Sequence, residues 1–140
     1  MNGRHDLGLV DTNIVILFDA LDERDLPDEI AVSTITLAEL SAGPHQTDDP
    51  IERALRIRRL QDTEAAFESL PFDIRAARTF GQMVAAVIAV GRKPRGRTAD
   101  LMIASIAAAN RLPLYTTNPA GFAGLDRLLE VVAVTHPDNR

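Results

Sequence analysis

The chain has 140 residues, of which 46% are hydrophobic and 25% are charged, and its formal net charge is −5. This balance predicts one globular domain over residues 1–140, with a frayed tail at 135–140, and excludes a disordered chain. The sequence has no cysteine and three scattered histidines, so disulfides and thiolate zinc sites are excluded and a bound metal would need oxygen ligands.

Short apolar segments alternate with helical patterns along the chain. The predicted strands are Leu7–Val10, Ile30–Val32, Leu70–Phe72, Leu114–Thr117 and Val131–Val134. The predicted helices are Ile14–Leu21, capped by Thr12 or Asn13, Thr36–Ala42, capped by Ser33 or Thr34, Ile51–Phe67, Ile74–Val90, capped by Asp73, and Ala99–Asn110, capped by Thr98. Because the strands are almost wholly apolar, they are typical of a sheet covered on both faces. The pattern predicts a three-layer α/β/α sandwich with a mostly parallel five-stranded sheet.

Four polar side chains lie close to the carboxyl ends of predicted strands. Asp11 follows the first strand, Asn118 follows the fourth, and Glu39 lies in the helix after the second. Asp100 lies in the first turn of an apolar helix. If the first strand is central, all four converge at the edge where open α/β sheets form their sites.

Three carboxylates that meet at one site need compensation. At an effective dielectric constant near 20, two carboxylates about 4 Å apart repel by roughly 4 kcal/mol. Protonation or a bound cation relieves this repulsion, and a divalent ion also activates water and neutralises phosphate charge. The same residues have simpler interpretations as turn residues (Asp11, Asn118), a helix-dipole partner (Asp100) or a solvated helix residue (Glu39).

Four segments, taken in order, resemble a known family. LVDTNIVI at 9–16 resembles the opening motif of PIN domains, especially those of VapC toxins in toxin–antitoxin pairs. ITLAELSAG at 35–43 and RTADLMIAS at 97–105 are similar to the second and third motifs, and PLYTTNPAGFAGL at 113–125 resembles the fourth. The resemblance covers nearly the whole chain and supports a PIN-like α/β fold.

The resemblance implies a Mg²⁺-dependent endoribonuclease toxin, with Mn²⁺ as a substitute, that hydrolyses phosphodiester bonds in structured RNA such as transfer or ribosomal RNA. Asp11, Glu39 and Asp100 would be its catalytic and metal-binding residues. It also implies a VapB-type antitoxin partner and a homodimer. Many relatives have Asp-Phe in the fourth motif, where this chain has Gly121-Phe122. We therefore expect weaker metal binding, and the alternative is a catalytically weak or inactive PIN-like module that binds RNA or protein.

Several further residues could support such a site. Hydroxyl and amide groups that could orient carboxylates, or serve only as caps and packing groups, are Thr12, Asn13, Thr98, Thr117 and Asn118. The basic loop before Asp100 is predicted to contact the RNA backbone through Arg92, Lys93, Arg95 and Arg97. A second basic cluster, on the third predicted helix, consists of Arg53, Arg56, Arg58 and Arg59. We favour a role in surface or antitoxin contact over RNA contact for this cluster. Since aromatic residues are scarce, we expect recognition of RNA shape and backbone.

Other function classes fit the sequence less well. A signalling receiver domain needs an acidic pair at the first strand and a late lysine, whereas this chain offers only Asp11 and Lys93. Nucleotide-binding glycine motifs are absent from the sequence. The N-terminal residues do not form a signal peptide, and no segment has the roughly 18–20 apolar residues of a membrane span, so we expect a cytoplasmic protein. The helix face with Met83, Val84, Val87 and Ile88 is either core or a dimer seam.

Overall fold

Five parallel strands form one sheet in the computed structural model, which describes residues 5–139. The strands are β1 Leu7–Val10, β2 Glu29–Ser33, β3 Glu68–Leu70, β4 Leu114–Thr116 and β5 Val131–Ala133. Their order is β3-β2-β1-β4-β5, and all four pairings are parallel. The predicted mostly parallel five-stranded sheet is confirmed, and β1 is its central strand, the condition on which the convergence of the polar side chains depended. Strands β2 and β3 lie on one side of β1, and the later strands β4 and β5 lie on its other side. The strand order therefore reverses between β1 and β4, which is a topological switch point.

Five helices connect the strands, with short 3₁₀ turns between them. The helices are α1 Thr12–Ile16, α2 Thr34–Ala42, α3 Pro50–Ala66, α4 Ile74–Ala89 and α5 Thr98–Ala109. Two of the predicted helix N-caps were wrong. Asp11 caps α1 in place of Thr12 or Asn13, because its Oδ1 accepts the backbone N–H of Ile14. Thr98 is the first residue of α5 and not its cap, and the capping position belongs to Arg97, whose side chain makes no capping bond.

Adjacent strand residues enter two different cores, one on each face of the sheet. Leu9 and Leu114 pack with residues of α4 and α5, while Val10 and Tyr115 pack with residues of α1 and α2. This alternation follows from the two-residue period of a strand, and it confirms the three-layer α/β/α arrangement. The helices differ in burial: α5 contributes six buried residues, whereas α3 contributes only Thr63.

Arginines attach α3 to the turn that follows α2. Arg53 donates from Nε to the carbonyl of Pro44 at 3.1 Å, and from Nη2 to the carbonyl of Thr47 at 2.8 Å. Arg56 donates from Nη1 to the carbonyl of Gly43 at 2.8 Å. These polar contacts fix the amino-terminal half of α3, while Leu60 in its second half packs against the core that contains Val10.

Some remaining expectations concern the surface and the chain ends. Met83 and Val87 are buried, while Ile88 is 58% exposed, so the predicted α4 face belongs only in part to the core. In the region expected to fray, Pro137–Asn139 forms a 3₁₀ turn, and Arg140 lies outside the described residues. Within residues 5–139, none of the helices combines the length and the apolar character needed to cross a bilayer.

Candidate active site

A cavity of about 430 Å³ brings the three predicted carboxylates together. Asp11 lies between β1 and α1, Glu39 lies on α2, and Asp100 lies in the first turn of α5. All three line this cavity although 28 or more residues separate each from the next along the chain. The central position of β1 causes this convergence, since α2 follows the neighbouring strand at the same edge of the sheet.

Asp11 is the most buried of the three acids, with 5% of its surface exposed. Its Oδ1 accepts the N–H of Ile14 at 3.1 Å, and its Oδ2 accepts the hydroxyl of Thr116 at 2.5 Å. Burial raises the pKa of Asp11 above its usual value of 3.8, and the negative charges of Asp100 and Glu39 raise it further. The two hydrogen bonds lower the pKa but do not cancel these effects. The ionised form of Asp11 is thus disfavoured in the protein without a cation.

Asp100 and Glu39 are both exposed residues that face the cavity. Partial desolvation by surrounding protein atoms raises the pKa of Asp100 above its usual value of 3.8. The negative charge of Glu39 raises this pKa as well, while the positive charge of Arg97 lowers it. None of the three acids forms an ion pair with another residue in the range 5–139. The cavity therefore carries concentrated negative charge without a matching side-chain cation at the carboxylates themselves.

A chain of hydroxyl groups positions Glu39. The Thr12 hydroxyl donates to Glu39 Oε1 at 2.6 Å and lies 2.9 Å from the Thr36 hydroxyl. Ser33 in turn donates its hydroxyl proton to Thr36 Oγ1 at 3.3 Å. Because each hydroxyl has one proton, the donors point in a single direction, from Ser33 through Thr36 and Thr12 to the carboxylate. Ser33 and Thr36 are fully buried, so this chain joins the cavity to the protein interior.

The carboxylate oxygens of Asp11, Glu39 and Asp100 suit a hard divalent cation, but they do not enclose a metal site on all sides. Among residues 5–139, no group of three or more His, Cys, Asp or Glu side chains is arranged to hold a metal ion by itself. Mg²⁺ commonly keeps several of its waters and binds through one or two carboxylates, so an open wall of three carboxylates remains compatible with it. The unpaired charges and oxygen-only chemistry fit such an ion.

The predicted supporting residues divide into two groups. Thr12 and Asn13 line the cavity, whereas Thr98, Thr117 and Asn118 do not. The threonine that contacts Asp11 is Thr116, one residue before the predicted Thr117, and it was missed along with Thr36.

The fourth motif turns back toward the end of β4. The backbone N–H of Asn118 donates to Thr116 Oγ1 at 3.0 Å. A Cβ atom added to Gly121 would lie 3.1 Å from Asn118 Nδ2, so the Asn118 amide adjoins position 121.

The basic loop before Asp100 has contacts that the sequence did not predict. Arg92 and Arg97 each donate from Nη1 at 2.7 Å, to the carbonyls of Ala120 and Gly121 respectively. Neither these two nor Lys93 and Arg95 line the cavity. The arginines that do line it are Arg56 and Arg59 of α3.

Comparison with known proteins identifies the family. A family model for the PIN domain matches residues 9–128. The chain belongs to the PIN domain family. Ribonuclease VapC5 of Mycobacterium tuberculosis is 37% identical to this chain over 122 residues, which cover 85% of this chain and 87% of that protein. The family resemblance inferred from four short motifs is confirmed.

Solved structures agree with this PIN-domain assignment. VapBC-5 of Mycobacterium tuberculosis, a member of the VapBC family of toxin–antitoxin systems, aligns with a TM-score of 0.81 and 36% identity, over 92% of this chain and 99% of that chain. VapBC-1 from nontypeable Haemophilus influenzae aligns with a TM-score of 0.70 and 26% identity, over 89% and 96% of the two chains. The predicted PIN-like α/β fold is confirmed over nearly the whole chain.

Proposed function

We propose that this PIN domain is the ribonuclease toxin of a toxin–antitoxin pair and that Asp11, Glu39 and Asp100 are its catalytic and metal-binding residues. The main support is the meeting of three carboxylates, from three separate elements, in one cavity, with none of them in an ion pair within residues 5–139. The similarity to a ribonuclease and to toxin–antitoxin structures supports the reaction class. Metal dependence is general among PIN-domain ribonucleases.

Each acid has a role that follows from its surroundings. Asp11 and Asp100 would hold the cation, and Glu39 would serve either as a ligand or as the base that orients water. A bound divalent ion supplies Lewis-acid activation of water and neutralises charge on the phosphate. Thr116 keeps Asp11 Oδ2 in place, and Thr12 does the same for Glu39 Oε1. These bonds fix the carboxylates before substrate arrives, which lowers the cost of ordering them.

The ion would be Mg²⁺, with Mn²⁺ as a substitute. Because Gly121 stands where many relatives have a fourth carboxylate, we expect weak metal binding and activity that favours Mn²⁺ or high Mg²⁺ concentration. Full activity at low micromolar Mg²⁺ would contradict this expectation. The RNA substrate would be a structured transfer or ribosomal RNA.

The test compares Asp11→Asn and Asp100→Asn with Asp126→Asn, an exposed acid that does not line the cavity. We expect RNA cleavage by the first two variants to fall by at least about a hundredfold, with loss of growth arrest on induction, since each removes a charged ligand. Thermal melting followed by circular dichroism should show that all three variants fold. Retained cleavage by both cavity variants would refute the site. A wild-type protein that binds RNA but does not cleave it with Mn²⁺ would favour the inactive-module alternative.

We also propose a VapB-type antitoxin partner, a homodimer and a cytoplasmic location, where such RNAs occur. Ile16 lines the cavity and is 44% exposed, and Ile51 and Leu55 of α3 are 74% and 53% exposed. These side chains offer apolar surface to an antitoxin. On α4, the exposed Ile88 offers a second apolar surface for the homodimer. A short reading frame upstream of the gene, whose product co-purifies with the chain, would support the antitoxin partner. Sedimentation analysis would measure the oligomeric state.

A further inference from the structure

Helix α3 forms a basic wall of the cavity that also holds the three carboxylates. Arg56 and Arg59 line this wall, together with Glu52. With all acids ionised, the four carboxylates and two guanidinium groups in the lining leave a formal charge of −2. A cavity with this charge repels a phosphodiester unless cations lie where the strand enters. The position of the arginines therefore decides where an RNA strand can run.

The two arginines are not equivalent. Arg56 is already engaged, because its Nε donates to Glu52 Oε1 at 3.1 Å and its Nη1 donates to the carbonyl of Gly43 at 2.8 Å. Arg59, three residues further along the helix, is half-buried. Its guanidinium has no hydrogen-bond or ion-pair partner among residues 5–139. Among the described residues that line the cavity, Arg59 is thus the cation left free to bind a ligand.

We propose that Arg59 binds an RNA phosphate beside the scissile one, which makes α3 the backbone-binding wall of the active site. The inference rests on the proposed ribonuclease function and names a substrate contact for it. Guanidinium groups bind phosphate oxygens through paired N–H donors, and the absence of any competing carboxylate bond leaves these donors of Arg59 available. The basic loop is a weaker candidate, because Arg92 and Arg97 already donate to backbone carbonyls outside the cavity.

The neighbouring residue on the same helix provides a matched control. Arg58 lies 3.8 Å from Asp62, its side chain is 80% exposed, and it does not line this cavity. Arg58→Gln removes one positive charge from α3, as Arg59→Gln does. A phosphate contact inside the cavity is lost only in the second variant, so the pair separates a specific contact from a change in overall charge.

The experiment measures binding of a fluorescein-labelled single-stranded RNA by anisotropy in EDTA, where no metal-dependent cleavage occurs. For Arg59→Gln we expect about tenfold weaker binding, and a decrease of about 0.7 in the slope of log K against log salt concentration. Arg59→Lys should recover part of the affinity, and Arg58→Gln should bind within about twofold of wild type. In cleavage of an RNA oligonucleotide with Mn²⁺, Arg59→Gln should raise KM about tenfold with little change in kcat.

Different results would overturn the inference in distinguishable ways. Unchanged RNA binding and KM in Arg59→Gln would reject the contact while leaving the ribonuclease proposal intact. A greater loss of binding in Arg95→Gln would return the contact to the basic loop. Unchanged RNA binding with weaker co-purification of the antitoxin would assign Arg59 to the protein interface. A wild type that never cleaves RNA, but binds it through Arg59, would refute the ribonuclease and retain the phosphate site.

Discussion

Replacing Asp11 with Asn should stabilise the metal-free protein, although most substitutions of buried residues destabilise. Asp11 is buried beside Asp100 and Glu39, and its pKa is raised above 3.8 chiefly by burial. As pH rises through 3.8, the carboxyl group ionises in the unfolded chain but keeps its proton in the fold, so stability decreases until the pH passes the pKa of the folded state. Asn does not titrate and avoids this loss.

The expected gain can be worked out from the opposing contributions. At an effective dielectric constant near 20, two unit charges about 6 Å apart repel by roughly 3 kcal/mol. Asp11 faces two such charges, on Asp100 and Glu39, and the solvent around these two exposed residues reduces the combined repulsion to about 3–4 kcal/mol. Asp11→Asn also weakens the hydrogen bonds from Thr116 and Ile14, each by about 1 kcal/mol, because bonds to a charged acceptor are the stronger ones. The net stabilisation should be about 1–2 kcal/mol, or roughly 3–6 °C in Tm.

Differential scanning fluorimetry in EDTA at several pH values measures this effect. The Tm advantage of Asp11→Asn over wild type should be full at pH 7.5 and should shrink as the pH approaches 4. Adding Mn²⁺ should raise the Tm of wild type and not that of the variant, which reverses the difference. Asp126→Asn serves as the control and should differ from wild type by less than about 0.5 kcal/mol. A variant that is less stable than wild type at every pH, with an unchanged response to Mn²⁺, would show that Asp11 neither suffers charge repulsion nor binds the ion.

Two further substitutions test the surroundings of the carboxylates. Thr116→Val keeps the shape of the side chain but leaves Asp11 Oδ2 without its hydroxyl donor and the Asn118 N–H without its acceptor, so urea denaturation should show a loss of about 2–3 kcal/mol. Thr116→Ser, which keeps the hydroxyl, should lose less than about 1 kcal/mol, and equal losses in the two variants would contradict the role of the bond. Gly121→Asp should tighten Mn²⁺ binding roughly tenfold in isothermal titration calorimetry, because it restores a fourth carboxylate. An unchanged Mn²⁺ affinity would show that position 121 is remote from the ion.

The parallel sheet could be predicted because short apolar runs in the sequence mark where strands form. Apolar runs locate four of the strands, whereas the third was predicted at Leu70–Phe72 and lies at Glu68–Leu70. The position of Asp11 after the first strand indicates a site once β1 is taken as central. The caps were harder, since Asp11, Thr12 and Asn13 are three consecutive residues that all favour the capping position. Only the backbone path decides which of them accepts the N–H of Ile14.

Two differences between the expected and the observed surroundings of the site have separate physical origins. Consecutive residues of a strand point to opposite faces, so a one-residue difference in the end of β4 exchanged Thr117 for Thr116 as the partner of Asp11. The basic loop was favoured for RNA contact because it precedes Asp100 in sequence. In the fold, Gly91 and Gly96 have positive φ angles of 76° and 83°, and the loop between them turns toward the carbonyls at 120 and 121. Nearness along the chain did not place these basic side chains in the lining of the cavity, although Arg97 still lowers the pKa of Asp100.

The two sides of the cavity are anchored unequally. The side with Asp100 belongs to α5, whose six buried residues hold it in the core. Helix α3 buries only Thr63 and is attached by arginines at its amino-terminal end and by the partly buried Leu60. We therefore expect that a ligand or protein bound to α3 displaces this helix at a lower energetic cost than a displacement of α5 would require. In such an enzyme, a change in the tilt of one outer helix can alter which substrate or inhibitor binds. The residues that carry out hydrolysis keep their positions.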